Sequence, residues 1–211
     1  MTDFSLYLVT DRNLSLGGST ADIVRAAVAG GATCVQLREK ACGTREFLAE
    51  ARAVRDVLAG TGVPLVINDR VDVALAVGAD GVHLGQKDMP LADARRLTGR
   101  SMFIGISAEC VEDAVRAERE GADYVGVSPV FATPTKTDTA RPLGLDGIAA
   151  IRAAVSLPLV GIGGIGPANA ADVLRAGCDG IAVVSAIVSA ADPQRAAAEL
   201  RTIIQRTRET S

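Results

Sequence analysis

The sequence predicts a closed barrel of eight parallel strands wrapped by helices, and three observations lead there. Strand-like apolar runs alternate with Ala-rich segments of helical period along the whole chain. Four segments repeat Gly, a small residue, usually Asp, and then an apolar run: GGATCVQL at 30–37, GADGVHL at 78–84, GADYVGV at 121–127 and GCDGIAV at 177–183. The runs are too apolar to leave a wet face, as expected of a parallel sheet buried on both sides. At 211 residues the chain is shorter than the roughly 250 typical of a (β/α)8 TIM barrel, so its loops must be tight. An open doubly wound sheet is the alternative, but no G-x-G-x-x-G follows the first strand. The expectation is one compact α/β domain, a (β/α)8 TIM barrel over residues 1–211.

The elements follow in order. FSLYLVT at 4–10 is read as the first strand, and the helical DIVRAAVAG leads into VQL of the second. PLVIN at 64–68 is the third, followed directly by the helical RVDVALAV. GADGVHL, MFIGIS at 102–107 and GADYVGV carry strands four to six, with DAVRAERE a helix before the sixth. PLVGIGG at 158–164 and GCDGIAV carry strands seven and eight around the helix ANAADVLRAG, and the last helix covers roughly 192–207. The Gly opening each repeat sits where a helix C-cap needs tolerance of positive φ.

Composition narrows the class of function. The chain is 48% apolar and 3% aromatic, which excludes disorder. No apolar run reaches the ~18–20 residues of a membrane span, and MTDFSLYLVTDR has no basic leader or cleavage site, so a soluble cytoplasmic protein is expected. The four cysteines form no C-x-x-C pair, which suits reduced thiols rather than a zinc site. A net charge of −3 argues against a nucleic-acid surface, so an anion must be held by a local basic cluster.

In such a barrel the C-terminal strand ends build the active face, and alternate residues of each strand point inward. Gln36, Arg38 and Lys40 share one parity and should project over the mouth, whereas Val35 and Leu37 suit packing against helices. The plainer reading is an ion pair of Arg38 or Lys40 with Glu39. Asp69 and Asp88 follow strands three and four, and either could be a helix N-cap. Two acids beside a basic cluster also suit Mg2+, which takes one or two carboxylates and completes its shell with water and phosphate. Beside basic residues, their pKa values should fall, which makes them poor proton carriers. Ser107 after strand five reads as a cap or as a hydroxyl donor to phosphate.

Residues 128–144, SPVFATPTKTDTARPLG, form a long loop. Its Thr133, Thr135, Thr137 and Thr139, with Lys136, suit a lid over anions, a plain surface loop being the alternative. Gly163, Gly164 and Ser185, after strands seven and eight, mark the phosphate site common to this fold. The lone histidine, His83, lies inside strand four and is expected to be packed or to line the site. Two facing anion sites, one with a metal, suggest substitution at carbon with departure of a diphosphate.

VQLREK, INDR, GVHLGQKD, GIS, T-P-T-K, GIGGI and VVSAI, in this order and near these intervals, resemble the thiamine-phosphate synthase (thiamine phosphate pyrophosphorylase) family over residues 7–187. The resemblance implies a transferase that joins an aminopyrimidine diphosphate to a thiazole phosphate, giving thiamine monophosphate and pyrophosphate, with CO2 when the thiazole carries a carboxylate. It implies pyrimidine diphosphate binding by Gln36, Leu37, Arg38, Glu39, Lys40, Asn68, Ser107 and Lys136, with Arg38, Lys40, Ser107 and Lys136 as the catalytic candidates. Thiazole phosphate falls to Thr133, Pro134, Thr135, Gly164, Val184 and Ser185, and Mg2+ to Asp69 and Asp88. The implied mechanism is dissociative, in keeping with the absence of a positioned nucleophile.

A thiazole tautomerase on the same fold is the main alternative, but it has no need of a metal-bound diphosphate site. A sugar-phosphate isomerase would need an acid/base pair, and a non-catalytic phosphate-binding protein is a third class. The expected partners are small-molecule substrates, with a homo-oligomer left open and neither nucleic acid nor membrane involved.

Overall fold

The computed structural model of the protein describes residues 2–133 and 141–210. The chain alternates β1 Leu6–Val9, α1 Thr20–Ala29, β2 Cys34–Leu37, α2 Thr44–Leu58, β3 Leu65–Asn68, α3 Val71–Val77, β4 Gly81–Leu84, α4 Leu91–Thr98, β5 Phe103–Ala108, α5 Val111–Glu120, β6 Tyr124–Val127, α6 Gly144–Ala154, β7 Leu159–Ile162, α7 Ala170–Arg175 and β8 Gly180–Val183. A one-turn helix, α8 Ser185–Val188, and the long α9 Pro193–Glu209 complete it. Neighbouring strands pair in parallel in chain order, and β8 pairs with β1, which closes the barrel and excludes the open sheet. The strands are shorter than the apolar runs suggested, because the flanking residues already belong to the turns. The extra helix α8 was also unforeseen. The four cysteines are free. Among the described residues no helix is long and apolar enough to cross a membrane.

The repeat has a physical role. Thr33, Asp80, Asp123 and Asp179 stand immediately before β2, β4, β6 and β8. Each side-chain oxygen accepts the N–H of one residue at or next to the start of the preceding strand: Leu6 at 3.0 Å, Leu65 at 2.8 Å, Ile104 at 2.7 Å and Leu159 at 2.8 Å. The backbone N–H of each then donates to the carbonyl of that same residue, at 2.8, 3.0, 2.8 and 2.8 Å. Thr33 replaces Asp in the first repeat and makes the same clasp. Glycine serves the turns just before: Gly78 and Gly121 end α3 and α5 with φ of 65° and 89°, where a side chain would be strained.

Strand parity divides the apolar residues into two layers. Leu8, Val35, Leu37, Ile67, Val82 and Ile104 face the helices. Phe4, Tyr7, Val9, Cys34, Val66, Tyr124, Val160 and Ala182 fill the lumen, with Phe103 packed against them. Four of the six Phe and Tyr residues therefore plug the lower barrel. Phe4 lies 4.4 Å from Tyr124 between ring centroids and meets Phe103 edge-on at 5.7 Å. The rings fit because the neighbouring strand is notched. A Cβ at Gly81 would overlap the Phe103 ring, and one at Gly105 would overlap the Tyr124 ring.

Leu65 is 1% exposed, so its N–H depends on the Asp80 clasp. Asp80→Ala should lower the unfolding free energy by about 1–3 kcal/mol in a denaturant titration, with a smaller loss for Asp80→Asn, which keeps an acceptor oxygen. Equal losses would mean that charge, rather than the accepted hydrogen bond, is what the clasp supplies.

Candidate active site

The strand ends converge on one cavity of about 520 Å3, within the usual range for a small-molecule site. β2 behaves as its parity demands. Gln36 points inward, 5% exposed, and donates through Nε2 to the Tyr7 hydroxyl at 3.0 Å. Arg38 reaches the mouth, where Nη1 donates to Asp11 Oδ2 at 3.0 Å and the backbone N–H to Thr10 Oγ1 at 3.1 Å. Lys40 pairs through its ammonium with Asp69 Oδ2. The alternative, an ion pair of Arg38 or Lys40 with Glu39, is not formed. Glu39 turns the other way, 3.6 Å from Arg12 Nε, and burial pushes its carboxyl up. Leu37 packs among the helices. Leu37 and Glu39 are thus absent from the cavity lining, since a side chain of that parity cannot reach it.

β3 and β4 bring the acids. Asn68 lines the cavity at 7% exposure, and its Nδ2 has no hydrogen-bond partner among the described residues. Asp69 follows in the left-handed region at φ 62°, unusual for a side-chain-bearing residue. Its N–H donates to the His83 carbonyl at 2.8 Å, so the strained turn is tied to β4. Asp69 does not cap α3, whose N-cap is Arg70 without a side-chain bond. Nor does Asp88 cap α4: its Oδ2 accepts the Gly85 N–H at 2.8 Å and closes the turn after β4. The expected fall in pKa fails for Asp88. Burial, and then the neighbouring Asp69 carboxylate, push its carboxyl up, and the opposing effect of Lys40 is weaker.

Among the described residues no three His, Cys, Asp or Glu side chains group to hold a metal. The pair Asp69 and Asp88 is a donor set that fits a hard cation completing its shell from water and phosphate. It does not fit a closed structural zinc site.

Ser107, the residue before the last of β5, leaves α5 uncapped and bonds His83 Nε2 at 2.9 Å through Oγ. His83 is both packed and lining: its Nδ1 meets the Tyr124 hydroxyl at 2.8 Å. Across the cavity lie Gly163 and Gly164, with φ of 104° and 65°, and the start of α8, where Val184 and Ser185 line the wall. A Cβ at Gly164 would fall 2.7 Å from the Ala132 carbonyl, so glycine there lets the loop after β6 lie flat against β7. Thr133 lines the cavity, while Pro134, Thr135, Lys136, Thr137 and Thr139 lie outside the described residues.

Three residues escaped the reading of the sequence. Asp11 holds Arg38, and Tyr7 and Tyr124 form the floor. The available signal for Asp11 was TDR directly after β1, a charged pair mirroring RE after β2. For the tyrosines it was their scarcity, two in the chain and both inside strands at the inward parity.

A family model described as thiamine monophosphate synthase matches residues 6–187, from the first residue of β1 into α8. The chain belongs to the thiamine monophosphate synthase family. It is 57% identical over 209 residues to the thiamine-phosphate synthase of Chloroflexus aurantiacus, covering 99% of this chain and 96% of that one. It is 59% identical over 199 residues to that of Albidiferax ferrireducens, covering 94% and 91%. The solved thiamine phosphate pyrophosphorylase of Pyrococcus furiosus superposes with a TM-score of 0.90 at 42% identity, over 98% of each chain. The match to the thiamine monophosphate synthase family spans every strand and so every strand end that builds the cavity.

Asp88 supplies a test of the acidic cluster. With its carboxyl pushed up by burial, the folded state keeps that proton to higher pH than the unfolded chain does. Ionising it therefore costs stability, a cost absent below about pH 4 and complete above the folded-state value. Measured by thermal melts in chelator, Asp88→Asn should gain on the parent protein as pH rises from about 4 to 7. A difference flat in pH would rule out burial as the dominant influence on this carboxyl.

Proposed function

We propose that this cavity joins an aminopyrimidine diphosphate to a thiazole phosphate, forming thiamine monophosphate and pyrophosphate, and CO2 when the thiazole carries a carboxylate. The observation that carries the reading is the meeting, in one cavity, of the Lys40–Asp69–Asp88 cluster with the Gly163–Gly164 turn and the start of α8. The names of the relatives support the same reaction. A tautomerase acting on the thiazole phosphate alone would have no use for the acidic and basic cluster.

In this proposal Asn68 offers its unpartnered Nδ2 to a ring nitrogen acceptor, and Gln36 faces the pyrimidine beside it. Arg38, Lys40 and Ser107 take the diphosphate, and Lys136 joins them by the resemblance. Gly164, Val184 and Ser185 take the thiazole phosphate with backbone N–H groups at the turn, Thr133 beside them, and Pro134 and Thr135 by the resemblance. Asp69 and Asp88 hold Mg2+, which when bound neutralises charge on the diphosphate. The bond from the pyrimidine methylene carbon to the diphosphate oxygen breaks, and its electron pair leaves with the oxygen. The thiazole nitrogen then supplies the pair for the new carbon–nitrogen bond. No side chain need act as nucleophile, so the protein contributes juxtaposition and stabilisation of the leaving anion. We further propose that the chain works as a single barrel domain in the cytoplasm.

The deciding experiment is pyrophosphate release from hydroxymethylpyrimidine diphosphate, with and without thiazole phosphate, in Mg2+ or in chelator. Metal-dependent release in step with thiamine monophosphate is expected. Asp69→Ala and Asp88→Ala should each lower turnover at least about 100-fold, as loss of a positioned charge at a leaving group does. Full activity in either variant with an unchanged Mg2+ requirement would remove the metal assignment. No release under any condition would remove the transferase reading.

A further inference from the structure

Beneath the mouth, a chain of hydrogen bonds crosses the lumen from one wall to the other. It runs from Gln36 Nε2 to Tyr7 Oη at 3.0 Å, on to Tyr124 Oη at 2.9 Å, to His83 Nδ1 at 2.8 Å, and from His83 Nε2 to Ser107 Oγ at 2.9 Å. Space for it is reserved by glycine. Gly105 is the notch for the Tyr124 ring, and a Cβ at Gly126 would stand 3.0 Å from His83 Cε1.

The direction of donation follows link by link. Both phenols are 1% exposed, and burial pushes each well above its usual pKa, so each keeps one hydrogen to give. The Gln36 amide nitrogen can only donate, so Tyr7 Oη accepts from it. The Tyr7 hydrogen then goes to Tyr124. The Cys34 thiol beside Tyr7 is a weak acceptor and does not compete with an oxygen at 2.9 Å. The Tyr124 hydrogen goes to His83 Nδ1, and a neutral ring that accepts at Nδ1 carries its own hydrogen on Nε2. That hydrogen is donated to Ser107 Oγ. The Ser107 hydroxyl hydrogen is not consumed by the chain, and no other described residue bonds Oγ.

We propose that Tyr7 and Tyr124 are positioning residues: they polarise the chain toward Ser107, hold His83 as its Nε2–H tautomer, and thereby keep the Ser107 hydroxyl a donor to the anion in the mouth. The two ends are set together. The same polarity leaves Gln36 Oε1 as an acceptor on the opposite wall, so one chain prepares an acceptor at β2 and a donor at β5. The kinetic consequence rests on the reaction proposed above, whereas the tautomer does not.

His83 is the only histidine in the sequence, so long-range 1H–15N correlation on the full-length labelled protein reads a single ring. The wild type should show the hydrogen on Nε2 and a bare Nδ1. Tyr124→Phe keeps the ring in its notch but removes the donor to Nδ1, and this preference should disappear. In pyrophosphate release, Tyr124→Phe should lower kcat about ten-fold, the scale of a hydrogen bond to a charged group, with KM for thiazole phosphate unchanged. In a Ser107→Ala background the same substitution should cost less than about two-fold, because its effect passes through Ser107. A hydrogen on Nδ1 in the wild type, an unaltered tautomer in Tyr124→Phe, or equal losses in both backgrounds would each overturn the proposal. If wild-type protein releases no pyrophosphate, the reaction assignment fails, and the tautomer still decides the chain.

Discussion

A strand of four residues makes few ladder bonds, and a slip of one residue would turn every inward side chain outward. Seven of the eight strands are that short. What holds them is the clasp made by Thr33, Asp80, Asp123 and Asp179, each gripping both the N–H and the C=O of a single residue at the foot of the neighbouring strand. The four clasps join β1 to β2, β3 to β4, β5 to β6 and β7 to β8, and ladder pairing joins the pairs. Register is thus set at the end of the barrel that does no chemistry. The inward placement of Gln36, Asn68, His83 and Ser107 at the other end is a geometric consequence.

The lumen is divided in the same sense. Below, aromatic rings and small residues interlock. Above, polar and charged groups crowd the walls, and there the structure breaks its own rules. Asn68 buries an unpartnered Nδ2, Asp69 takes a backbone conformation that side chains disfavour, and Asp88 carries its carboxyl against burial and a second carboxylate. Such departures gather at sites where binding a ligand relieves them. The apolar lower half offsets them without contributing a reactive group.

Much of this was legible in the chain. Alternation and repeat led to the barrel, and parity at β2 separated Gln36, Arg38 and Lys40 from Leu37. What failed did so for three-dimensional reasons. The Asp of the repeat was visible, but its acceptor role depends on the neighbouring strand, at least 15 residues away. The resemblance put Glu39 in the pyrimidine diphosphate set, whereas its side chain turns away from the cavity to Arg12, on the turn after β1. The direction of the Asp88 shift turned on burial, which charge counting along a sequence does not contain. Tyr7 and Tyr124 read as ordinary strand aromatics because their hydroxyls acquire meaning only when β1 and β6 face each other across the lumen. Of the threonine-rich loop only Thr133 is among the described residues, while Thr135, Lys136, Thr137 and Thr139 lie outside them.

The notches that receive the lower rings limit how such a lumen can change. Phe103 occupies the volume vacated at Gly81, and Tyr124 that vacated at Gly105, each pair bridging two adjacent strands. Enlarging the small member alone forces a collision, and shrinking the large one alone leaves a void under the cavity. Bulk can therefore move between neighbouring strands only by reciprocal exchange at constant sum. The floor of the cavity is inherited as coupled pairs, and its depth cannot be retuned one residue at a time.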